Sequence, residues 1–356
     1  MFKDSYQVVG VMSGTSLDGV DLVYVTLTYS DKWEFNIYFS ETVAYSDYWS
    51  KLLSNAVHSS KQELLELNEA YTEELGGIIN GFISKNAITK IDAVCSHGHT
   101  VLHQPENGFT LQIGNLKKLS ALLKQNVVCD FRVQDVELGG QGAPLVPIGD
   151  RLLFSQYDYC LNLGGFSNIS FEENSKRIAY DISPVNTVMN LYAKKLGFPY
   201  DDKGNLARSG NLNQDLLNEL NALSFYQLSY PKSLGIEFVN GTNLPILSKY
   251  QIPEIDILRT FIEHVAFQIS KAISKKDSSL LVTGGGAYND FLMERMRSYL
   301  PDVKIIIPDR ITLEFKEALV FALLGVLKLR NEINTLSSVT GANKDHSSGS
   351  VFNYNV

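Results

Sequence analysis

The sequence predicts an α/β protein of two lobes built by duplication, on three observations. Strand-like apolar runs alternate with amphipathic helical stretches almost throughout, the pattern of sheets covered by helices. The chain has 356 residues, more than one ordinary core organises, so two lobes of about 150–200 residues each are expected. Two stretches, Tyr6–Leu27 and Tyr159–Asp181, repeat one plan of strand, glycine-rich turn and strand. One such hairpin opening each half predicts a cleft between the halves.

In chain order, Val8–Met12 reads as a buried strand, Ser13–Ser16 as its polar turn and Val20–Leu27 as the returning strand. Lys61–Ser84 is helical, with Leu64, Leu65, Leu67, Ala70 and Leu75 as an apolar stripe. Ala93–Cys95 and Val127–Cys129 are short buried strands. The second hairpin is Cys160–Leu163, a turn at Gly164-Gly165, Asn168–Phe171 and Arg177–Asp181. Helices follow at Thr187–Leu196, Asp256–Ile273, Asn289–Leu300 and Glu314–Leu329, with strands at Leu280–Val282 and Val303–Ile307. Thr335–Gly349, rich in Gly, Asn and Ser, reads as loop. The lobes are expected at 1–138 and 139–356, the terminal segment packing back on the first and the Gly139–Gly142 stretch acting as hinge.

Composition narrows the function. Net charge is -8, with a sequence pI near 5.3, which argues against nucleic acid or an anionic membrane surface as the main partner. A small anion remains possible, because backbone amides cradle phosphate without a basic patch. No run approaches the ~20 apolar residues of a membrane span, and Met1–Gln7 lacks signal-peptide architecture, so a cytoplasmic protein is expected. Cys95, Cys129 and Cys160 fit neither zinc nor disulfide spacing and read as buried thiols.

Five stretches carry candidate chemistry. Gly14-Thr15-Ser16-Leu17-Asp18-Gly19-Val20-Asp21 follows a strand directly; its glycines expose backbone N–H groups and its hydroxyls add donors. Asp18 and Asp21 could hold Mg²⁺ directly or through water, although a plain hairpin turn uses the same residues. Thr283-Gly284-Gly285-Gly286-Ala287-Tyr288-Asn289, between strand and helix, lets a ligand approach a helix N-terminus and is not a dinucleotide fingerprint. Asp130-Phe131-Arg132-Val133-Gln134-Asp135 lies at a strand's C-terminal end, where open sheets bind ligands. There Arg132 could clamp an anion or pair with an Asp structurally. Asp181 ends the second hairpin and is either a general base or the cap of the next helix. His97, His99 and His103 would share one face of an extended strand; without acidic or Cys neighbours they read as ligand contacts or structural histidines rather than a metal site.

Together these motifs resemble the anhydro-N-acetylmuramic acid kinases of the sugar kinase/Hsp70/actin superfamily. The resemblance rests on GVMSGTSLDGVD at 10–21, SHGHTVLHQPENGFTLQIGN at 96–115, DFRVQDVELGGQGAPLVP at 130–147, LNLGGFSNIS at 161–170, VTGGGAYNDFLMERM at 282–296 and SSVTGA at 337–342. It covers the chain collinearly. It implies an actin-like, duplicated ribonuclease H-like ATPase fold, and a reaction in which water opens the 1,6-anhydro ring while ATP phosphorylates the freed 6-oxygen. Asp181 would be the base for that water and Glu317 would assist at the sugar. Thr100, Arg132, Asp135 and Gln141 would line the sugar side. Gly14–Asp21, Gly284, Gly285, Gly286 and Asn289 would bind ATP, with Mg²⁺ at Asp18 and Asp21. The resemblance further implies a homodimer.

The chain departs from the family pattern in two places. Asp181-Ile182-Ser183-Pro184-Val185-Asn186 stands where Asp-Thr-Gly-Pro-Gly-Asn is commoner, and Ile236 stands where Arg is usual. Two other readings stay open on the sequence: a kinase of a related sugar, and a sensor that binds ATP and sugar without turnover.

Overall fold

The computed structural model describes residues 2–14 and 16–354. It divides into two units, one of Met1–Leu153 with Phe315–Val356 and one of Phe154–Glu314.

The first unit is organised around β1 (Ser5–Ser13), whose near-continuous burial marks a central strand covered on both faces. It returns antiparallel as β2 (Val20–Tyr29), with Val8 opposite Val25 and Ser13 opposite Val20. β3 (Trp33–Val43) pairs antiparallel outside β2. The alternation of Trp33, Phe35 and Ile37 with Glu34 and Asn36 signals this strand, which the sequence reading passes over. On the other side β1 pairs parallel with β4 (Ala93–Gln104), and β4 pairs antiparallel with β5 (Phe109–Ile113) and parallel with β6 (Val127–Cys129). Ser350–Phe352 closes the sheet antiparallel to β6.

β4 runs well beyond the expected Ala93–Cys95 because it bulges rather than ends. Val11 faces Ser96 but Ser13 faces His99, and Gly98 absorbs the extra residue at φ 73°. His97 and His99 therefore do not share a face as a regular strand would require.

Lys61–Lys85 starts at a capping box between Ser60 and Glu63. It buries Leu64, Leu67, Tyr71, Leu75, Ile79 and Phe82, whereas the expected stripe residue Leu65 is 55% exposed. The Arg310–Leu329 helix presses so closely on the sheet that a Cβ at Gly10 would lie 2.2 Å from the Ala318 carbonyl oxygen. This approach fixes the position of Glu317 one residue earlier.

The second unit repeats the plan. β7 (Tyr159–Leu163), β8 (Phe166–Glu173) and β9 (Lys176–Pro184) form an antiparallel meander, and β10 (Ser278–Thr283) and β11 (Val303–Ile306) extend β7 in parallel. The order β9-β8-β7-β10-β11 matches β3-β2-β1-β4-β6, direction for direction. Glu263, buried on the Glu254–Ala272 helix, is clamped by Arg295 at 2.9 and 3.0 Å and by Arg259 at 2.6 Å, tying that helix to Asp290–Tyr299.

The units part at Leu153/Phe154 rather than after 138, because the Pro147–Leu153 helix belongs to the first unit; its Gly149 abuts Val320. Thr335–Gly349 is not all loop: Ser337–Thr340 forms a short helix. The three cysteines are buried and free.

Candidate active site

β1, β4 and β6 run parallel, so their C-terminal ends lie at one edge of the first sheet, where candidate residues gather. After β1 the chain turns, with Leu17 N–H donating to the Gly14 carbonyl at 3.3 Å and Leu17 at φ 62°. Its side chain packs on the core, which offsets that strain. Ser16 and Asp18 are exposed, whereas Thr15 lies outside the described residues. Val20 is fully buried, so it serves packing and offers no side chain to a nucleotide. Asp21 accepts from Thr42 Oγ1 at 2.6 Å across the β2–β3 pair. Beneath the turn, Ser13 Oγ lies 2.8 Å from His99 Nδ1 and 2.7 Å from the Tyr45 hydroxyl. Burial holds His99 down to about 4, so it is neutral.

β6 delivers the second group. Asp130, at φ 62°, turns the chain so that Phe131 enters the core and Arg132 meets β4. Arg132 Nε donates to His97 Nε2 at 2.8 Å and Nη1 to the Gly142 carbonyl at 2.7 Å. Burial pulls the guanidinium down to about 10, with Glu317 and Asp135 opposing. Glu317 reaches solvent, yet the protein crowded around it raises its carboxyl, Arg132 opposing and Asp21 adding to the rise. The neighbouring Lys316 is anchored 2.6 Å from buried Asp150.

Two expectations are corrected here. Asp135 does not face a ligand: it is 0% exposed, Oδ2 accepting from Gly142 N–H at 2.7 Å and Oδ1 from Thr340 Oγ1 at 2.7 Å. The Gly139–Gly142 stretch is no hinge, since it lies inside the first unit, wrapped on that carboxylate and tied by Gln141 N–H to the Thr340 carbonyl. Gln141 itself is exposed, and Thr100 is half-buried with Gln112 Nε2 at 3.4 Å from its hydroxyl. Thr340 was missed as a site residue. It lies in the quoted SSVTGA stretch, but no local pattern shows that its hydroxyl braces a carboxylate 205 residues away.

In the second unit the glycine loop divides by role. Gly284 stands at φ 83°, and a Cβ there would lie 2.5 Å from Asn162 Oδ1 and 2.8 Å from the Leu163 carbonyl oxygen. Gly285 is exposed, its nearest neighbour Asn186 Nδ2 at 4.0 Å from such a Cβ, so this is where a ligand could approach the backbone. Asn289 is 7% exposed and caps the next helix, Oδ1 accepting from Leu292 N–H at 2.9 Å.

Asp181, on β9, is half-buried. Its Oδ2 accepts from Leu234 N–H at 2.8 Å, and its own N–H donates to the Lys232 carbonyl at 3.1 Å. Burial raises its carboxyl above the usual range, the Leu234 bond opposing. It does not cap the following helix. The departures beyond it point inward. Ser183, fully buried, packs its Oγ 3.0 Å from Ser167 Oγ, and Val185, also 0% exposed, joins the core. Ile236 is 48% exposed.

Two sheets that share one five-strand order and direction, with candidate loops at strand ends, define a duplicated, ribonuclease H-like fold of the actin-like type. The chain belongs to the anhydro-N-acetylmuramic acid kinase family, whose pattern residues 6–354 match. It is 34% identical to the anhydro-N-acetylmuramic acid kinase of Sulfurimonas denitrificans over 97% of this chain and 98% of that one. It is also 34% identical to the protein of that name from Haemophilus influenzae, over 96% and 97%. Among solved structures, the activator of the 2-hydroxyisocaproyl-CoA dehydratase from Clostridium difficile is 13% identical at a TM-score of 0.44, over 91% of this chain and 96% of that one.

Proposed function

We infer that this chain opens 1,6-anhydro-N-acetylmuramic acid with water and phosphorylates its 6-oxygen from ATP, giving N-acetylmuramic acid 6-phosphate and ADP. The observation that carries the reading is Asp181: a carboxylate raised by burial and aimed by the Leu234 N–H, in a chain that matches the family end to end. Asp181 takes a proton from water as the water oxygen bonds to the anomeric carbon. The bond from that carbon to the 6-oxygen breaks, and the freed oxygen attacks the γ-phosphorus as ADP leaves. Arg132 and Glu317 contact the sugar. The backbone at Gly14, which is half-buried, and at the exposed Gly285 receives ATP phosphates, a role the open space at Gly285 supports. Asp18, which is exposed, and Asp21, which accepts from Thr42 Oγ1, would hold a magnesium ion, and the charge neutralisation it would supply falls on those phosphates. Asp135 and Asn289 act by holding loops.

The inward direction of Ser183 and Val185 favours a working enzyme over a sensor, because neither side chain occupies the surface a phosphate would need. No helix among the described residues is long and apolar enough to cross a membrane, consistent with action in the cytoplasm; a homodimer is expected by sedimentation. The test is product mass in ¹⁸O-water, quenched within the first turnovers. One label on the sugar and none on phosphate is expected. Label in phosphate would mean simple ATP hydrolysis and sink the reading.

A further inference from the structure

We propose that His97 is a positioning residue for Arg132, fixing which edge of the guanidinium is presented to the sugar. The inference rests on the assignment of Arg132 to sugar contact made above.

The hydrogen bonds dictate the imidazole's state. His97 Nδ1 lies 2.8 Å from the Gly98 carbonyl oxygen, which can only accept, so Nδ1 carries the proton. Nε2 then offers a lone pair, and 2.8 Å away is Arg132 Nε, which can only donate. The Gly98 bulge makes this possible by turning the carbonyl of the next residue back onto the ring. The ring is itself fixed. It is 3% exposed, stands 4.6 Å from the Phe321 ring between centroids, and its backbone carbonyl accepts from Asn115 Nδ2 at 3.0 Å. Burial and the adjacent guanidinium keep the imidazole well below its ordinary value, so it stays neutral.

Arg132 is thereby held at two points, Nε by His97 and Nη1 by Gly142. Of the five N–H bonds of a guanidinium, three remain, one on Nη1 and two on Nη2, so the Nη2 end is what is left to meet a ligand. An arginine ordered in advance loses less freedom on binding, so the ordering cost falls on folding rather than on substrate capture. A histidine that only filled space would stack on Phe321 equally well without a lone pair toward Nε.

The test uses the full chain and two variants. His97→Phe keeps the ring and removes the lone pair; His97→Gln places a carbonyl oxygen near the former Nε2. In ¹⁵N-labelled protein, the Arg132 Nε–H signal, assigned by its loss in Arg132→Lys, should be protected from exchange in the parent and in His97→Gln. It should vanish in His97→Phe while the rest of the spectrum stays dispersed. With ATP and sugar, His97→Phe should raise the sugar KM about tenfold with kcat within about threefold, and His97→Gln should restore most of it. A signal unchanged in His97→Phe overturns the inference, as does an equal KM rise in both variants. If His97→Phe does not fold, loss of the signal in folded His97→Gln also overturns it. Absence of any phosphorylated product from the parent protein would instead defeat the kinase reading, leaving the spectroscopic result to stand alone.

Discussion

Replacing Asp181 by Asn separates charge from shape, and its effects on activity and stability should have opposite signs. The carboxylate is half-buried and accepts from Leu234 N–H at 2.8 Å. An amide oxygen can accept the same bond, so β9 and the Lys232–Leu234 segment keep their geometry. What is lost is the proton acceptor. Removal of a general base lowers turnover by ~10²–10⁴, equivalent to about 2.7–5.5 kcal/mol of transition-state stabilisation. Stability moves the other way. A carboxyl raised on folding binds its proton more tightly folded than unfolded. Its favourable contribution is therefore full below the unfolded pKa and lost as pH rises through the folded one. At pH 7 the native state carries a charge it partly desolvates, and Asn relieves that cost. Asp181→Asn should raise Tm at pH 7, the gain shrinking toward pH 3. By the same shift, parental kcat should fall on its acid side at a pH above the ordinary Asp value. Coupled ADP release gives turnover, calorimetry gives ATP and sugar binding, and thermal melts give stability. Binding lost in step with turnover, or a lowered Tm, would show the carboxylate to be a structural anchor.

Two further contrasts test the loops. Gly284→Ala combines a glycine-only backbone conformation with a 2.5 Å clash on Asn162 Oδ1, so destabilisation of about 3 kcal/mol is expected in urea melts. Gly285→Ala meets open space, so it should change stability by no more than ~0.5 kcal/mol yet raise the KM for ATP; an unchanged KM would remove Gly285 from the phosphate site. Thr340→Val deletes the 2.7 Å hydrogen bond to the buried Asp135 carboxylate, worth about 1.5–3 kcal/mol, and should raise the sugar KM by loosening Gly142. A stability change below ~0.5 kcal/mol would mean that Thr340 is no brace.

The sequence by itself determined the α/β class and the duplication, and it supplied the loops proposed to carry chemistry. Each is written in local pattern: apolar runs of strand length, glycines where the backbone must turn, and motifs that read as units. The helix at Lys61–Lys85 was legible almost to the residue because amphipathic periodicity is a short-range signal, although Leu65 of the expected stripe points outward. Tertiary structure decided how those residues are used. Asp135 and Arg132 look alike on paper, both polar at a strand end, yet one is sealed beneath the loop it holds and the other keeps a free edge. The three histidines have metal-like spacing, but the Gly98 bulge sends His97 to Arg132 and His99 to Ser13. Ser183 and Val185 mark a departure on paper, yet both lie in the interior, one near the end of β9 and the other just beyond it. The physical reason is common to all of these. Hydrogen-bond partnership and burial depend on contacts between segments far apart in the chain, which no local periodicity encodes, and the same side chain is a ligand group or a brace according to which partner reaches it first.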